Sequence, residues 1–249
     1  NFLESDVIKM NSQEINKFIK ENVDKIYDEM VKVRRTIHEN PELGDEEFET
    51  SKLIKRFLTE NGIEFFEVIN TGVVATIYND KENMENKTVA TRADIDALPI
   101  FEENDVDYKS KNTGKMHACG HDAHTTIQLG VAKVLAENKD KWHGTARFFF
   151  QPAEETSGGS DRMIKAGALE FEKEKDRKID AFFALHMAPE IELGKIGIKY
   201  GKAHASSARI HLTINGVSAH AALPHKGIDA ILIGAKVMEY LQSIVSRRI

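Results

Sequence analysis

The sequence has almost no cysteine: a single thiol, Cys119, stands in 249 residues. A lone cysteine closes no disulfide within its own chain, which excludes a disulfide-stapled secreted scaffold and points to a reducing cytoplasm. An excess of basic residues is also missing. Lys and Arg number 34 against 40 Asp and Glu, a net charge of −6, which argues against a nucleic-acid-binding surface. No run approaches the roughly 18 apolar residues of a membrane span. Residues 1–11 are polar and mixed in charge, without the basic-then-apolar run of a signal peptide. Internal repeats and low-complexity tracts are absent. What remains is an ordinary soluble balance, 41% hydrophobic and 30% charged, with enough chain for one large or two ordinary domains.

Hydrophobic periodicity orders that chain. Ile15, Ile19, Val23, Ile26, Met30, Val33 and Ile37 recur every three or four residues and predict a helix with one apolar stripe. Asn11 with Glu14 predicts its capping box, and Pro41 its stop. A second helix is expected over 46–61, with Phe48, Leu53, Ile54, Phe57 and Leu58 inward and Gly62 ending it. Strands are expected at 63–69, 73–78, 88–93, 145–150 and 181–185, with helices at 123–136 and around 163–166. Strands alternating with helices imply an α/β fold with a mostly parallel sheet, whose sites lie beyond the carboxyl ends of the strands. The pattern changes near Gly194. Strands at 196–199 and 207–215, a loop and a helix over 227–246 read as the start of an α+β domain that needs further strands to close its core. The domain reading is therefore 12–195 for the first domain and 196–249 for an incomplete second one.

Chemistry concentrates in a few polar clusters. The stretch 115–124, KMHACGHDAH, holds the only cysteine and three of the ten histidines. Thiolate and imidazole are the best side-chain ligands for a zinc-like ion, and a turn at Gly120 aims Cys119 and His121 at one point. The plainer alternative is a buried thiol beside loop histidines. Glu154 and Glu155 follow the strand ending at Phe150. Two adjacent carboxylates suit a division into metal ligand and general base, or else a solvated acidic turn. Asp94 suits either the far side of a ligating imidazole or a capping role. His186 ends an apolar strand and, taken alone, reads as a core histidine. His38 reads as a helix-ending residue, while His220 and His225 divide between loop packing and substrate contact. Met163, Met187 and Phe148 to Phe150 read as core.

The strings RRTIHENPELG, TRADIDALPI, GKMHACGHDAHTT, FQPAEE, ALHMAP and HAALPH followed by IVSR resemble, in that order, the amidohydrolase branch of the dinuclear metallopeptidases. That branch includes aminoacylases, hippurate hydrolase and auxin-conjugate hydrolases, and it is carboxypeptidase-like. The resemblance spans about residues 33–249. It implies a zinc-peptidase-like catalytic domain with a smaller lid and dimerisation domain. It implies metal ligation by Cys119, His121, Glu155 and His186, with two divalent ions (zinc, manganese, cobalt or nickel). Glu154 matches the general base and Asp94 the aspartate beneath the metals. His220 matches a lid histidine that reaches across a homodimer to steady the oxyanion.

Two departures stand out. Ser218-Ala219 replace the two glycines that often precede the lid histidine. The family's fifth ligand, a histidine late in a longer chain, has no counterpart here, so the sequence reads as a fragment that is inactive alone. The expected reaction is hydrolysis of small N-acyl amino acids at the amide bond. An N-acetyl-diaminopimelate deacetylase of lysine biosynthesis shares the same motifs. A Cys119 nucleophile and a non-catalytic binding homologue are the rivals from other classes.

Overall fold

A computed structural model describes residues 10–82, 84–156, 158–171, 177–202 and 210–248. It divides into two compact units, one ending at Glu190 and the other beginning at Ile191.

The first unit opens with helix α1, Ser12–Glu39. Asn11 Oδ1 accepts the amide protons of Gln13 and Glu14 at 2.9 and 3.0 Å, and the Glu14 carboxylate accepts that of Asn11 at 2.8 Å. That reciprocal box satisfies donors the helix cannot pair internally. The apolar stripe is only half used. Ile26 and Ile37 are buried, whereas Ile15, Ile19 and Val23 remain 43–49% exposed. Packing against helix α3, His121–Glu137, buries only the later turns of α1.

Helix α2, Phe48–Glu60, begins two residues later than its apolar pattern suggests. The Glu42 carboxylate sets the start by accepting the amides of Glu49 and Thr50 and the Thr50 hydroxyl. Phe48, expected inward, is 57% exposed.

The sheet has the order β1-β2-β4-β3-β5, from β1 Glu64–Val68, β2 Gly72–Asn79, β3 Thr88–Asp94, β4 Gly144–Gln151 and β5 Ala181–Ala184. It is mixed. β1 pairs antiparallel with β2, and β2 with β4. A connection as short as the one at Thr71 can join only antiparallel neighbours. The strands that carry the polar clusters form the parallel part, β4-β3-β5, with Asp94 level with Gln151 and Arg92 level with Ala184. Their carboxyl ends therefore open on the same edge. Phe148 and Phe150 pack with Ile54, Leu58, Val73 and Leu129 on one face, and Phe149 packs with Val74, Ala90 and Met163 on the other. Helix α4, Gly159–Lys165, supplies Met163 to that second face. Burial on both faces is why β4 reads as a continuous apolar run. Each such phenylalanine contributes about 1.5–3 kcal/mol.

In the second unit, Val217 and Ile228 form an isolated antiparallel bridge, a short turn of 3-10 helix spans Pro224–Lys226, and helix α5 spans Ala230–Arg248. The Asp229 carboxylate caps α5 by accepting the amides of Ile231 and Leu232. The strand expected at 196–199 does not form, nor does that at 210–215; residues 207–209 lie outside the described residues. Ile196, Ile198, Ile210 and Leu212 are 59–91% exposed, and an alternating pattern without a partner strand has nothing to pair with. No helix among the described residues is long and apolar enough to cross a membrane.

Candidate metal centre

The parallel strands deliver their polar residues to one edge, and α3 begins there. Its N-cap is Gly120, at φ 84°. A side chain at 120 would also sit 2.8 Å from Met187 Cγ, so both the left-handed backbone and the close approach require glycine. Cys119 and His121 flank this turn.

His121 is almost fully buried. Its Nδ1 lies 2.9 Å from the Asp96 carbonyl and 3.1 Å from Asp96 Oδ1, both acceptors. The ring proton therefore sits on Nδ1, and the Nε2 lone pair is free. That Nε2 is buried without a hydrogen-bond partner, a costly state for a polar atom. It faces Asp94 Oδ2 at 3.5 Å and Glu155 Oε1 at 3.9 Å. Burial alone would lower the His121 pKa, but the Asp96 hydrogen bond and the surrounding carboxylates raise it overall.

His186 follows β5. Its Nδ1 donates to the Met187 carbonyl at 2.6 Å, which leaves Nε2 as an acceptor 3.3 Å from Cys119 Sγ. The next residue locks the loop, because the Met187 amide donates to His124 Nε2 at 2.8 Å. His124 in turn donates from Nδ1 to Asp94 Oδ1 at 2.6 Å. With both nitrogens engaged, His124 acts as a strut between Asp94 and the His186 loop. Asp94 also receives Arg92 at 2.6 Å. Burial pushes its carboxyl up, yet His124 and Arg92 more than reverse this and hold it below the ordinary range.

Among the described residues, three trios of donor atoms lie within 4.8 Å of one another: Cys119–His121–His186, Asp94–His121–His124 and His121–Glu154–Glu155. His121 belongs to all three. The first and third join the sequence-predicted ligands Cys119, His121, Glu155 and His186, with Glu154 beside them. The donor set fits a thiophilic or borderline divalent ion: one sulfur, two imidazoles and carboxylates around an orphaned lone pair. The thiol argues in the same direction. Burial, with Glu155 and then the charges of Asp94 and Glu154, pushes Cys119 up to about 12. A nucleophilic cysteine needs the opposite shift, so the surroundings suit a cation and disfavour a thiolate attacking on its own.

His220 belongs to the second unit, where it is exposed and its Nδ1 accepts the Ala222 amide at 3.1 Å. Met187, expected in the core, is 47% exposed, because its backbone rather than its side chain is what the fold uses. His38 lies in the last turn of α1 but does more than end it. It is buried between Asp122 Oδ2 at 2.7 Å and Glu102 Oε1 at 3.0 Å, and Arg34 joins the same Asp122 oxygen at 2.8 Å. This network grips the first turn of α3 one residue past His121. His117 is also buried, both nitrogens without hydrogen-bond partners, and burial lowers its pKa to about 4, so it stays neutral.

Sequence reasoning assigned no role to Asp96, Asp122, Glu102 or His124. Only His124 carried a usable signal, three positions beyond His121 and hence on the same helical face.

Known proteins share this arrangement of sequence and fold. Residues 90–243 match the model of peptidase family M20/M25/M40. N-acetyl-L-cysteine deacetylase of Bacillus subtilis is 43% identical over 229 residues, 92% of this chain and 53% of the relative. IAA-amino acid hydrolase ILR1-like 5 of Arabidopsis thaliana is 45% identical over 222 residues, covering 89% and 48%. The crystal structure of the Bacillus subtilis YXEP protein, a dinuclear metal-binding peptidase of the M20 family, superposes with a TM-score of 0.63 at 40% identity, covering 71% of this chain and 47% of that one. The chain thus spans about half the length of the curated relatives it matches. A match over residues 90–243 takes in most of the chain, and on it the chain belongs to peptidase family M20/M25/M40.

Proposed function

We propose that the protein of this chain hydrolyses the amide bond of small N-acyl amino acids, using two divalent ions held by Cys119, His121, Glu155 and His186. The observation that carries this reading is the buried, unpartnered Nε2 of His121 at the centre of three overlapping donor trios. The names of the relatives, a deacetylase and an amino-acid-conjugate hydrolase, support the substrate class.

Two bound divalent ions supply Lewis-acid polarisation of the acyl carbonyl and acidification of a water. The residues of the chain do the rest. Glu154 accepts the proton of the attacking water as the new C–O bond forms. It then delivers that proton to the amino-acid nitrogen as the C–N bond breaks. Asp96 orients the His121 imidazole, and Asp94, through His124, steadies the loop that carries His186. His220 donates to the developing oxyanion, supplied by the second subunit of a homodimer built on the second unit. The cytoplasm, a reducing compartment, keeps Cys119 from oxidation.

The test uses the full-length protein: bound metal is measured, then hydrolysis of N-acetyl and N-benzoyl amino acids and of N-acetyl-diaminopimelate. Glu154→Gln is expected to lower kcat on the order of a hundred- to ten-thousand-fold with metal content unchanged. Loss of metal together with activity would reverse the roles of Glu154 and Glu155. Mixed dimers of His220→Ala and Glu154→Gln chains regain activity if the site is shared between subunits. No recovery after confirmed exchange counts against donation from the partner. Failure to turn over any member of the panel would sink the functional reading.

A further inference from the structure

Glu47 is a carboxylate with no exposed surface, and no part of the proposed chemistry uses it. Its Oε1 accepts the Ala153 amide at 2.8 Å, and its Oε2 accepts the Thr71 hydroxyl at 2.7 Å. Three non-glycine residues among those described have positive φ: Asp45 at 71°, Ile69 at 47° and Ala153 at 51°. All three sit around Glu47. Asp45 is two residues before it, Ile69 is two before Thr71, and Ala153 is its direct partner. Left-handed backbone at residues with a side chain persists only where the surroundings over-determine it. Here one buried carboxylate holds the turn at Ala153 directly and, through the Thr71 hydroxyl, the connection that follows Ile69.

The turn at 153 leads straight into Glu154 and Glu155. The Glu155 amide is itself held, by Asp96 Oδ2 at 3.0 Å. The backbone is thus pinned one residue before Glu154 by Glu47 and one residue after it by Asp96. On the far side, the Gly159 amide donates to the Ala153 carbonyl at 3.2 Å. We infer that Glu47 is a positioning residue: by holding the Ala153 amide it fixes the left-handed turn that presents Glu154 and Glu155 to the His121 site. This rests on the reading of Glu154 as base and Glu155 as ligand. Burial raises the Glu47 pKa, and the role needs two oriented hydrogen-bonding atoms, not a full charge. A glutamine can serve, its oxygen accepting from Ala153 and its amide donating to Thr71.

The experiment uses the full-length protein as Glu47→Gln, Glu47→Ala and the double variant Glu47→Ala/Ala153→Gly. Hydrogen exchange across 152–156 is read in metal-free protein, then Co2+ affinity by competition with a chromophoric chelator, then kcat against KM. Glu47→Ala is expected to speed exchange in that segment and to weaken Co2+ binding by about tenfold or more, from lost local order. The kcat falls by a similar factor, while KM stays within about threefold. Glu47→Gln stays within about threefold of the parent in every readout. Adding Ala153→Gly recovers part of the loss, because glycine adopts the left-handed turn unaided.

A Glu47→Ala protein that melts earlier yet keeps parental exchange at 152–156 and parental Co2+ affinity would reduce Glu47 to a structural residue and overturn the inference. If Glu47→Ala does not fold, Glu47→Asp takes its place, since its shorter arm cannot keep the bonds to both Ala153 and Thr71, and unchanged exchange at 152–156 and unchanged Co2+ affinity there overturn the inference equally. Absence of hydrolysis in the parent protein counts against the proposed function alone, since exchange and Co2+ affinity still decide the role of Glu47.

Discussion

The Nδ1 of His121 lies 3.1 Å from Oδ1 of Asp96. The other oxygen of that carboxylate holds the Glu155 amide at 3.0 Å, so one buried aspartate sets both an imidazole and the neighbouring acidic turn. Asp96→Ala removes both contacts. It is expected to lower metal affinity about 10–100-fold in the full-length protein, the usual cost of losing the partner of a ligating histidine. Isothermal titration with Zn2+ checks this, and parental affinity would show that the backbone carbonyl of residue 96 suffices.

Cys119 tests the electrostatics of the site. Its surroundings push the thiol up to about 12. In metal-free protein at pH 8.5, alkylation by iodoacetamide is expected to run on the order of a thousandfold slower than for a free thiol, since only the thiolate reacts. A rate near that of free cysteine would revive Cys119 as a nucleophile.

His38 gives a pH signature. The Asp122 hydrogen bond raises its pKa above 6.5 against the opposing effect of burial and the nearby Arg34 charge, with Glu102 adding to the rise. Burial raises both carboxyls, but His38 holds Asp122 low, and the Ser110 amide, then His38, hold Glu102 low. A raised histidine contributes stability that is full below its unfolded pKa and lost as pH climbs through the folded value. The carboxylates lose theirs as pH falls instead. The parent should therefore exceed His38→Gln by about 1–2 kcal/mol near pH 6, and the gap should shrink towards pH 9. Urea melts at the two pH values measure it. A gap that widens with pH would mean His38 is neutral in the fold.

Gly159 tests the turn sterically. A Cβ there would lie 1.7 Å from the Pro152 carbonyl oxygen. Gly159→Ala is expected to cost about 3 kcal/mol, at the upper end for a single substitution. A thermal melt within about 1 °C of the parent would show that the loop has room to shift.

How far the sequence could be read follows from what each residue depends on. Cys119, His121 and the Glu154-Glu155 pair stand out because rare or paired polar types beside apolar strands are conspicuous in one dimension, whereas His186, a core histidine when taken alone, joins them only through the family resemblance. The α/β alternation is legible for the same reason, as is the Asn11 box, whose two halves are three residues apart. Glu47, Asp96, Glu102 and Asp122 are four of 40 acidic residues. Nothing in the sequence marks them as buried: Ala153 is 106 residues from Glu47, and His38 is 84 residues from Asp122 and 64 from Glu102, whose nearer partners are Asn104 and Ser110. The exposed half of the α1 stripe was equally hidden. Periodicity reports which face is apolar but not how much of it meets another element. Strands at 196–199 and 210–215 failed because alternation describes a strand only once a neighbour is present.

The spread of the donor atoms along the chain has one more consequence. Cys119 and His186 are 67 residues apart, whereas Cys119 and His121 are near neighbours in any conformation. An unfolded chain offers an ion little more than that local pair, and the folded chain offers the whole set. An ion at this site therefore binds the native state selectively and raises its stability by mass action, about 2.7 kcal/mol at a hundredfold excess over Kd. The free-ion concentration would then govern how much of the protein is folded at all.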